Sequence, residues 1–339
     1  MIIEGVKYTI ADFLTRNKGK NEFLERVNKL INWLPIEKIL KKRKKKDKEI
    51  GRTPYPDLSM FKILLLQSWF DLSDPKTEEL LKDRISFIRF SGFSLSSDIP
   101  DHSTICRFRN SLLKKELYKK LLEEINTQLE SKGFLLKTGA IVDATVVESH
   151  CHPQKSTKIV TIDREEEDGR VDIDIDIEVE YSKDSEAAWL KKGKKAYYGY
   201  KSHVASNFDG YILSAHLTSA NKSDINQFVS VLDNLELEKG SSVLADKGYS
   251  SKSNREYLEK RQLEDGIMHK KAKNKEMSFF EYITNKFISK YRYVIEQSFG
   301  LLKHHQGLSR FRYIGKIKCE AEFIFKSLAF NIKKAVLSC

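Results

Sequence analysis

Apolar residues recur along the first part of the chain at helical spacing. The run from Asp57 to Phe70 is apolar and carries no glycine, and Pro54 and Pro56 stand just ahead of it as a start signal. A helix is predicted there and another over Thr77 to Phe90, closed near Gly92. A third begins after Pro100 with Ser103 as its cap. Ile105, Phe108, Leu112, Leu113, Leu117, Leu121, Leu122 and Ile125 carry it toward a stop at Gly133. Residues 1–135 therefore read as an all-helical N-terminal domain.

From about residue 139 the period changes. Ala140 to Val147 is short, β-branched and nearly continuous, the pattern of a buried strand. Tyr197 to Ser206 and Tyr211 to Ser219 are predicted as a hairpin turning at Asn207-Phe208-Asp209-Gly210. A helix at 224–236, a strand at Ser242 to Ala245 and a helix at 252–262 should follow. Then come a strand at Gly266 to His269, a long helix at 278–304 and a final basic amphipathic helix. This order predicts an α/β domain over 136–339, a mixed sheet flanked by helices. Within it, Asp172 to Glu180 alternates acid and apolar residue, as in a solvated edge strand with its isoleucines turned inward. It belongs to an acidic insertion at about 151–195, which lacks the glycine and spacing of a calcium loop.

Composition narrows the partner. With 40% apolar and 32% charged residues in 339, the chain can build a core, so overall disorder is excluded. No apolar run is long enough for a membrane helix. Glu4 and Lys7 interrupt the only short apolar run at the N-terminus, against a signal peptide. Four scattered cysteines, with no Cys-x-x-Cys pair, argue against a disulfide scaffold or a structural zinc site and suit a reducing cytoplasm. The net charge is +12, yet residues 163–186 hold twelve acids against three bases, which leaves the rest at +21. Such an excess points to a polyanion, with nucleic acid the first candidate. Lys41 to Lys46 are six bases in succession within a linker at 38–50, either a solvated connection or an arm that follows phosphates.

Three carboxylates stand out by position. Asp143 lies inside a buried-type strand, where a charge is costly unless something binds it. Asp246 ends an apolar strand, and Glu296 lies in the long helix. Arg292 is four residues before Glu296 and Lys303 seven after it, nearly on one helical face. Singly these are a hydrogen-bonded acceptor, a turn aspartate and a surface glutamate paired with Arg292. Jointly they are hard oxygen ligands suited to Mg2+ or Mn2+. Two such ions about 4 Å apart can activate an attacking oxygen and stabilise a leaving one at a phosphodiester. The flanking cations suit phosphate oxygens. Ser309 to Lys318 mixes bases and aromatics, for DNA contact or for inward packing of Phe311 and Tyr313. His150-Cys151-His152 reads as a loop or buried thiol rather than a soft-metal site.

Ile141 to Thr145, Leu244 to Tyr249, and Arg292 to Glu296 with Lys303 resemble the three acidic motifs of DDE transposases of bacterial insertion sequences, in groups four and five. Asp98 to Arg109, Glu186 to Lys195, Tyr200 to Val204 and Thr218 to Asp224 resemble group five in particular. The resemblance covers roughly residues 50–335. It implies a ribonuclease-H-like catalytic domain in which Asp143, Asp246 and Glu296 bind Mg2+ or Mn2+, as two ions. It also implies metal-dependent DNA cleavage and strand transfer at an element's terminal inverted repeats. Arg292 and Lys303 would hold phosphates, with Lys247, Arg310 and Arg312 as further DNA contacts. Arg107 and Arg109, near the start of the third helix, would read the ends. The implied partners are double-stranded DNA and a second protomer on it, in the bacterial cytoplasm at the nucleoid, with no membrane. The family's helix signature carries a tyrosine where this chain has Ser289, a departure that implies a rearranged DNA contact or weakened activity. A catalytically impaired DNA-binding relative and another ribonuclease-H-like nuclease are the alternative readings.

Overall fold

Seven helices precede the first strand among the described residues of the computed structural model, which are 21–43, 53–151, 156–165, 171–180, 183–233, 235–271 and 276–338. Helices α1 (Glu22–Leu30) and α2 (Trp33–Lys41) start at Asn21 and Asn32, whose side chains accept from the amides of Leu24 and Leu34. Helix α3 (Asp57–Trp69) is buried along its whole length, which is why its sequence has no polar face. Its Lys62 meets Asn28 Oδ1 at 2.9 Å and lies over the Trp33 ring.

Both longer predicted helices are broken in two. Extended backbone at Arg84 separates α4 (Asp74–Asp83) from α5 (Ile85–Ser91). Glu116, at φ 52°, separates α6 (His102–Lys114) from α7 (Leu117–Ser131). The apolar phase runs on across each break because both pieces face one core. The cap of α6 is Asp101, which accepts from Thr104 N at 2.6 Å, and not Ser103.

Strand β1 (Gly139–Glu148) is followed by β2 (Ser156–Glu165) and β3 (Val171–Glu180), which pair only with each other. The alternating acidic stretch is thus half of a separate ribbon and not an edge of the main sheet. Its side-chain orientation, and residues 152–155, 166–170 and 181–182 of the insertion, lie outside the described residues, as do residues 44–52 of the basic linker. The main sheet continues with β4 (Ala188–Lys192), β5 (Lys195–Ser206) and β6 (Ile212–Ser219), then β7 (Ser242–Ala245) and β8 (Glu264–Ile267). Its order is β4-β5-β1-β7-β8, and β6 also pairs with β5. β1 is antiparallel to β5 and parallel to β7, so the sheet is mixed. The β5–β6 turn falls where expected, with Gly210 at φ 80°. The expected helix at 224–236 shrinks to a 3-10 turn at Ile225–Gln227 and α8 (Phe228–Leu232). Next comes α9 (Lys252–Lys260), and β8 lies two residues ahead of its expected place.

Two long helices close the chain. A capping box between Ser278 and Glu281 starts α10 (Phe279–His305). The last, α11 (Lys316–Ser338), departs from the amphipathic expectation: every residue from Ala321 to Ile332 is buried. It is covered on two sides. Phe325, Leu328 and Ala329 join the core of α1–α7, whereas Phe323 and Phe330 join the core beneath α10. Asn331 accepts from Ile212 N at 2.9 Å and donates to Asn126 Oδ1 at 2.8 Å, tying α11 to β6 and α7. One core therefore runs across the boundary expected near residue 135. No helix among the described residues is long and apolar enough to cross a membrane.

Candidate active site

Parallel pairing sets Val142 of β1 opposite Ala245 of β7, so the next residues, Asp143 and Asp246, emerge side by side. Strand alternation turns Asp143 toward the same face as Ile141 and Val147, the face covered by α10. That helix buries Ile288, Ile295, Phe299 and Leu302 against the sheet. The spacing of this stripe leaves Arg292 and Glu296 at the two aspartates.

Arg292 is the centre of the arrangement. Its guanidinium lies 3.0 Å from Asp143 Oδ2, 3.7 Å from Asp246 Oδ1 and 3.4 Å from Glu296 Oε1. Side-chain exposure rises outward, from 13% at Asp143 and 16% at Arg292 to 34% at Asp246 and 59% at Glu296. Burial pushes the Asp143 carboxyl above its usual range, with Arg292 and the Ala144 amide opposing that rise. The guanidinium is desolvated as well, yet Asp143 and Asp246 hold its pKa above the ordinary value. Asp246 Oδ1 accepts from the amide of Lys247 at 2.6 Å, which fixes the turn after β7.

By chemistry the donor set suits a hard divalent ion: three carboxylates, from the middle of β1, the end of β7 and α10, meet one guanidinium, with no thiolate or imidazole among them. Arg292 supplies the neutralising charge and stands between them. As they stand, no three acidic, histidine or cysteine side chains among the described residues are close enough together to hold a metal ion.

The remaining expected residues divide into two sets. Lys247 is exposed beside Asp246, and Lys303 donates to Val146 O at 2.9 Å on the same face of α10. Arg310 pairs with Glu148 at 3.2 Å. Arg107 is exposed in the second turn of α6, bonded to Ser103 and Thr104 of its own helix. Arg109 and Arg312 are engaged in contacts within the protein. Arg109 is largely but not fully buried, pairs with Asp74 and Gln67, and lies over the Tyr313 ring at 4.9 Å. Arg312 donates to Leu72 O and to Asp71. Both join α3–α4 to the segment before α11, contacts between parts of the chain distant in sequence. Phe311 packs inward, the plainer of its two sequence readings. Ser289 is exposed on α10.

Two features escaped the sequence reading. Phe279, Phe280, Tyr282, Ile283, Phe287, Tyr291 and Tyr293 form an exposed, largely aromatic surface on the first half of α10, although the apolar period there signals burial. Lys201, His203 and Asp224 gather on the opposite face of the sheet. Their motifs were visible, but only strand pairing brings them together.

Residues 135–332 match the family described as "Transposase DDE domain", and residues 12–111 match "Transposase domain (DUF772)". A transposase for insertion sequence element IS1106 from Neisseria meningitidis serogroup B is 36% identical over 231 residues, covering 68% of this chain and 76% of that protein. No solved structure matches the chain.

Proposed function

Because this chain belongs to the DDE transposases of bacterial insertion sequences, we propose that Asp143, Asp246 and Glu296 are its catalytic carboxylates and that it moves an element by cut-and-paste. Family membership makes the protein a metal-dependent DNA-transposing enzyme with a ribonuclease-H-like fold, in keeping with its mixed sheet flanked by helices. The observation that carries the residue assignment is the convergence of three carboxylates, distant in sequence, on one guanidinium.

The three carboxylates would hold Mg2+ or Mn2+, as two ions. When bound, the metal supplies an activated attacking oxygen and charge for the leaving one. Asp143, the most buried, orients through the Ala144 amide and needs a cation whenever it is ionised. Arg292 meets that need in the free protein and turns to the phosphate oxygens of DNA. Lys303 on α10, Lys247 in the turn after β7 and Arg310 beside the end of β1 would hold the backbone on either side. Cleavage frees a 3′-hydroxyl at each element end, which then attacks target DNA.

The helical region is read as the domain that recognises the terminal inverted repeats, through Arg107 on α6. Two ends must be cut and joined together, so a homodimer forms on DNA at the bacterial nucleoid. The exposed aromatic surface of α10 supports a second protomer there, since apolar surface of that extent marks an interface. Purified protein should cut and join end-bearing DNA with Mg2+ or Mn2+, and Asp143→Asn should abolish both while leaving the fold intact. Wild-type activity in Asp143→Asn would overturn the assignment.

A further inference from the structure

The face of the sheet opposite α10 carries polar side chains for which the reaction above has no use. Along β5, Lys201 and His203 alternate with Tyr200, Ser202 and Val204, so both project away from Asp143, which pairs with Val204. Lys201 Nζ donates to Asp224 Oδ1 at 2.8 Å and to Lys222 O at 2.9 Å. The buried His203 has Nε2 2.9 Å from Thr218 Oγ1, while Nδ1 faces Asp224 Oδ1 at 3.8 Å and makes no hydrogen bond. Placing a lysine and a histidine on a core-facing sheet surface, against a carboxylate from the turn after β6, costs free energy that apolar residues would not. Packing alone does not account for them.

Their position relative to Asp246 does. One Asp224 oxygen is fixed by Lys201, and the other, Oδ2, faces Gly248, 3.7 Å from where a Cβ would stand. Gly248 is the middle of the 3-10 turn Lys247–Tyr249, which follows Asp246 directly. The buried Asn254 of α9 donates to Ile225 O at 3.0 Å and to Tyr249 O at 2.8 Å, clamping the turn after Asp224 to the turn after Asp246. The Tyr249 ring packs on Phe228, and its hydroxyl is buried without a hydrogen-bond partner. Burial, then Asp224 and Asp143, hold that hydroxyl firmly protonated, so it is a donor with no acceptor in the free protein.

We propose that Lys201, Asp224 and Tyr249 form a positioning network for Asp246. Lys201 fixes Asp224, and Asp224 with Asn254 fixes the Lys247–Tyr249 turn. The Tyr249 hydroxyl then donates to the carboxylates once Arg292 leaves them for phosphate. This rests on the reading of Asp246 as a catalytic carboxylate.

The test compares full-length Tyr249→Phe, Asp224→Asn, Lys201→Met and Lys201→Arg with wild type, and uses Asp246→Asn as the control. Three quantities are read: Mn2+ binding to the protein in complex with end DNA by electron paramagnetic resonance, the Mn2+ dependence of end cleavage, and affinity for end DNA. Outer-shell partners of a metal site are worth roughly 10- to 100-fold in metal affinity. Tyr249→Phe, Asp224→Asn and Lys201→Met should weaken Mn2+ binding and raise the cleavage midpoint by such factors, with DNA affinity unchanged. Lys201→Arg should restore most of the loss. Tyr249→Phe removes only an unpaired hydroxyl, so it decides the matter even if Asp224→Asn fails to fold. Wild-type Mn2+ binding and cleavage in Tyr249→Phe, alongside a dead Asp246→Asn, would overturn the network and leave the catalytic assignment standing. An active Asp246→Asn would overturn both.

Discussion

Replacing Arg292 by methionine keeps most of the buried stem and leaves Asp143 without its cation. Both side chains are largely buried, at 16% and 13% exposure. Removing one partner of a buried pair costs roughly 3–5 kcal/mol. The contact to the third-exposed Asp246, longer at 3.7 Å, adds about 0.5 kcal/mol. The contact to Glu296, mostly in water, adds about 0.3 kcal/mol. The loss at neutral pH therefore comes almost wholly from Asp143. Its sign with pH is fixed. Burial already holds the Asp143 carboxyl above its unfolded value, and loss of Arg292 raises it further. An acid so raised contributes fully below its unfolded pKa and loses that contribution as pH rises through the folded one. The deficit of Arg292→Met should thus shrink as the buffer is taken from neutrality toward the ordinary carboxylate range. Divalent ions replace the missing charge, so they should stabilise the variant more than wild type. Urea titrations at neutral and mildly acidic pH, with and without MgCl2, measure all three effects. A loss under about 1 kcal/mol, or a deficit independent of pH, would refute this charge balance.

Arg109→Met should cost roughly 3–5 kcal/mol of stability through the Asp74 pair, yet leave DNA affinity of the folded protein unchanged by gel shift. Arg107→Ala should weaken binding to end DNA more than to random DNA, and equal losses would reduce it to a phosphate contact. Gly139→Ala would drive a Cβ to 2.5 Å from the Phe208 ring and 2.7 Å from Ser242 O; a loss of about 1–3 kcal/mol is expected in chemical denaturation. Burial lowers the His203 pKa to about 4, against Asp224 and beside Lys201 and His216. A histidine so depressed contributes stability above its unfolded pKa that is lost as pH falls toward the folded one, and His203→Gln should flatten that slope in a pH series of thermal melts. Phe280→Glu with Phe287→Glu should reduce two protomers per end-DNA complex to one by sedimentation.

Local pattern determined much of this protein. Strand β1, the β5–β6 hairpin, β7 and the full length of α10 follow from period, β-branching and caps such as Ser278 with Glu281. Asp143 and Asp246 stand out in the sequence because a charge inside an apolar strand, or at its end, is conspicuous against its neighbours, whereas Glu296 is marked only by its helical spacing to Arg292 and Lys303. Other features were not local. The breaks at Arg84 and Glu116 leave the apolar phase intact, so nothing in the spacing marks them. The burial of α11 depends on two cores meeting around it, and the loss of Arg109 from the surface on Asp74 and Tyr313 coming to cover it. Periodicity reports which face of an element is apolar. What that face meets is set by contacts across the chain, as between Asp143 and Arg292, 149 residues apart, and between Lys201 and the turn that carries Asp224. Those contacts exist only once the sheet is paired and the helices are laid on it, because a side-chain contact of 3 Å has no counterpart in sequence distance.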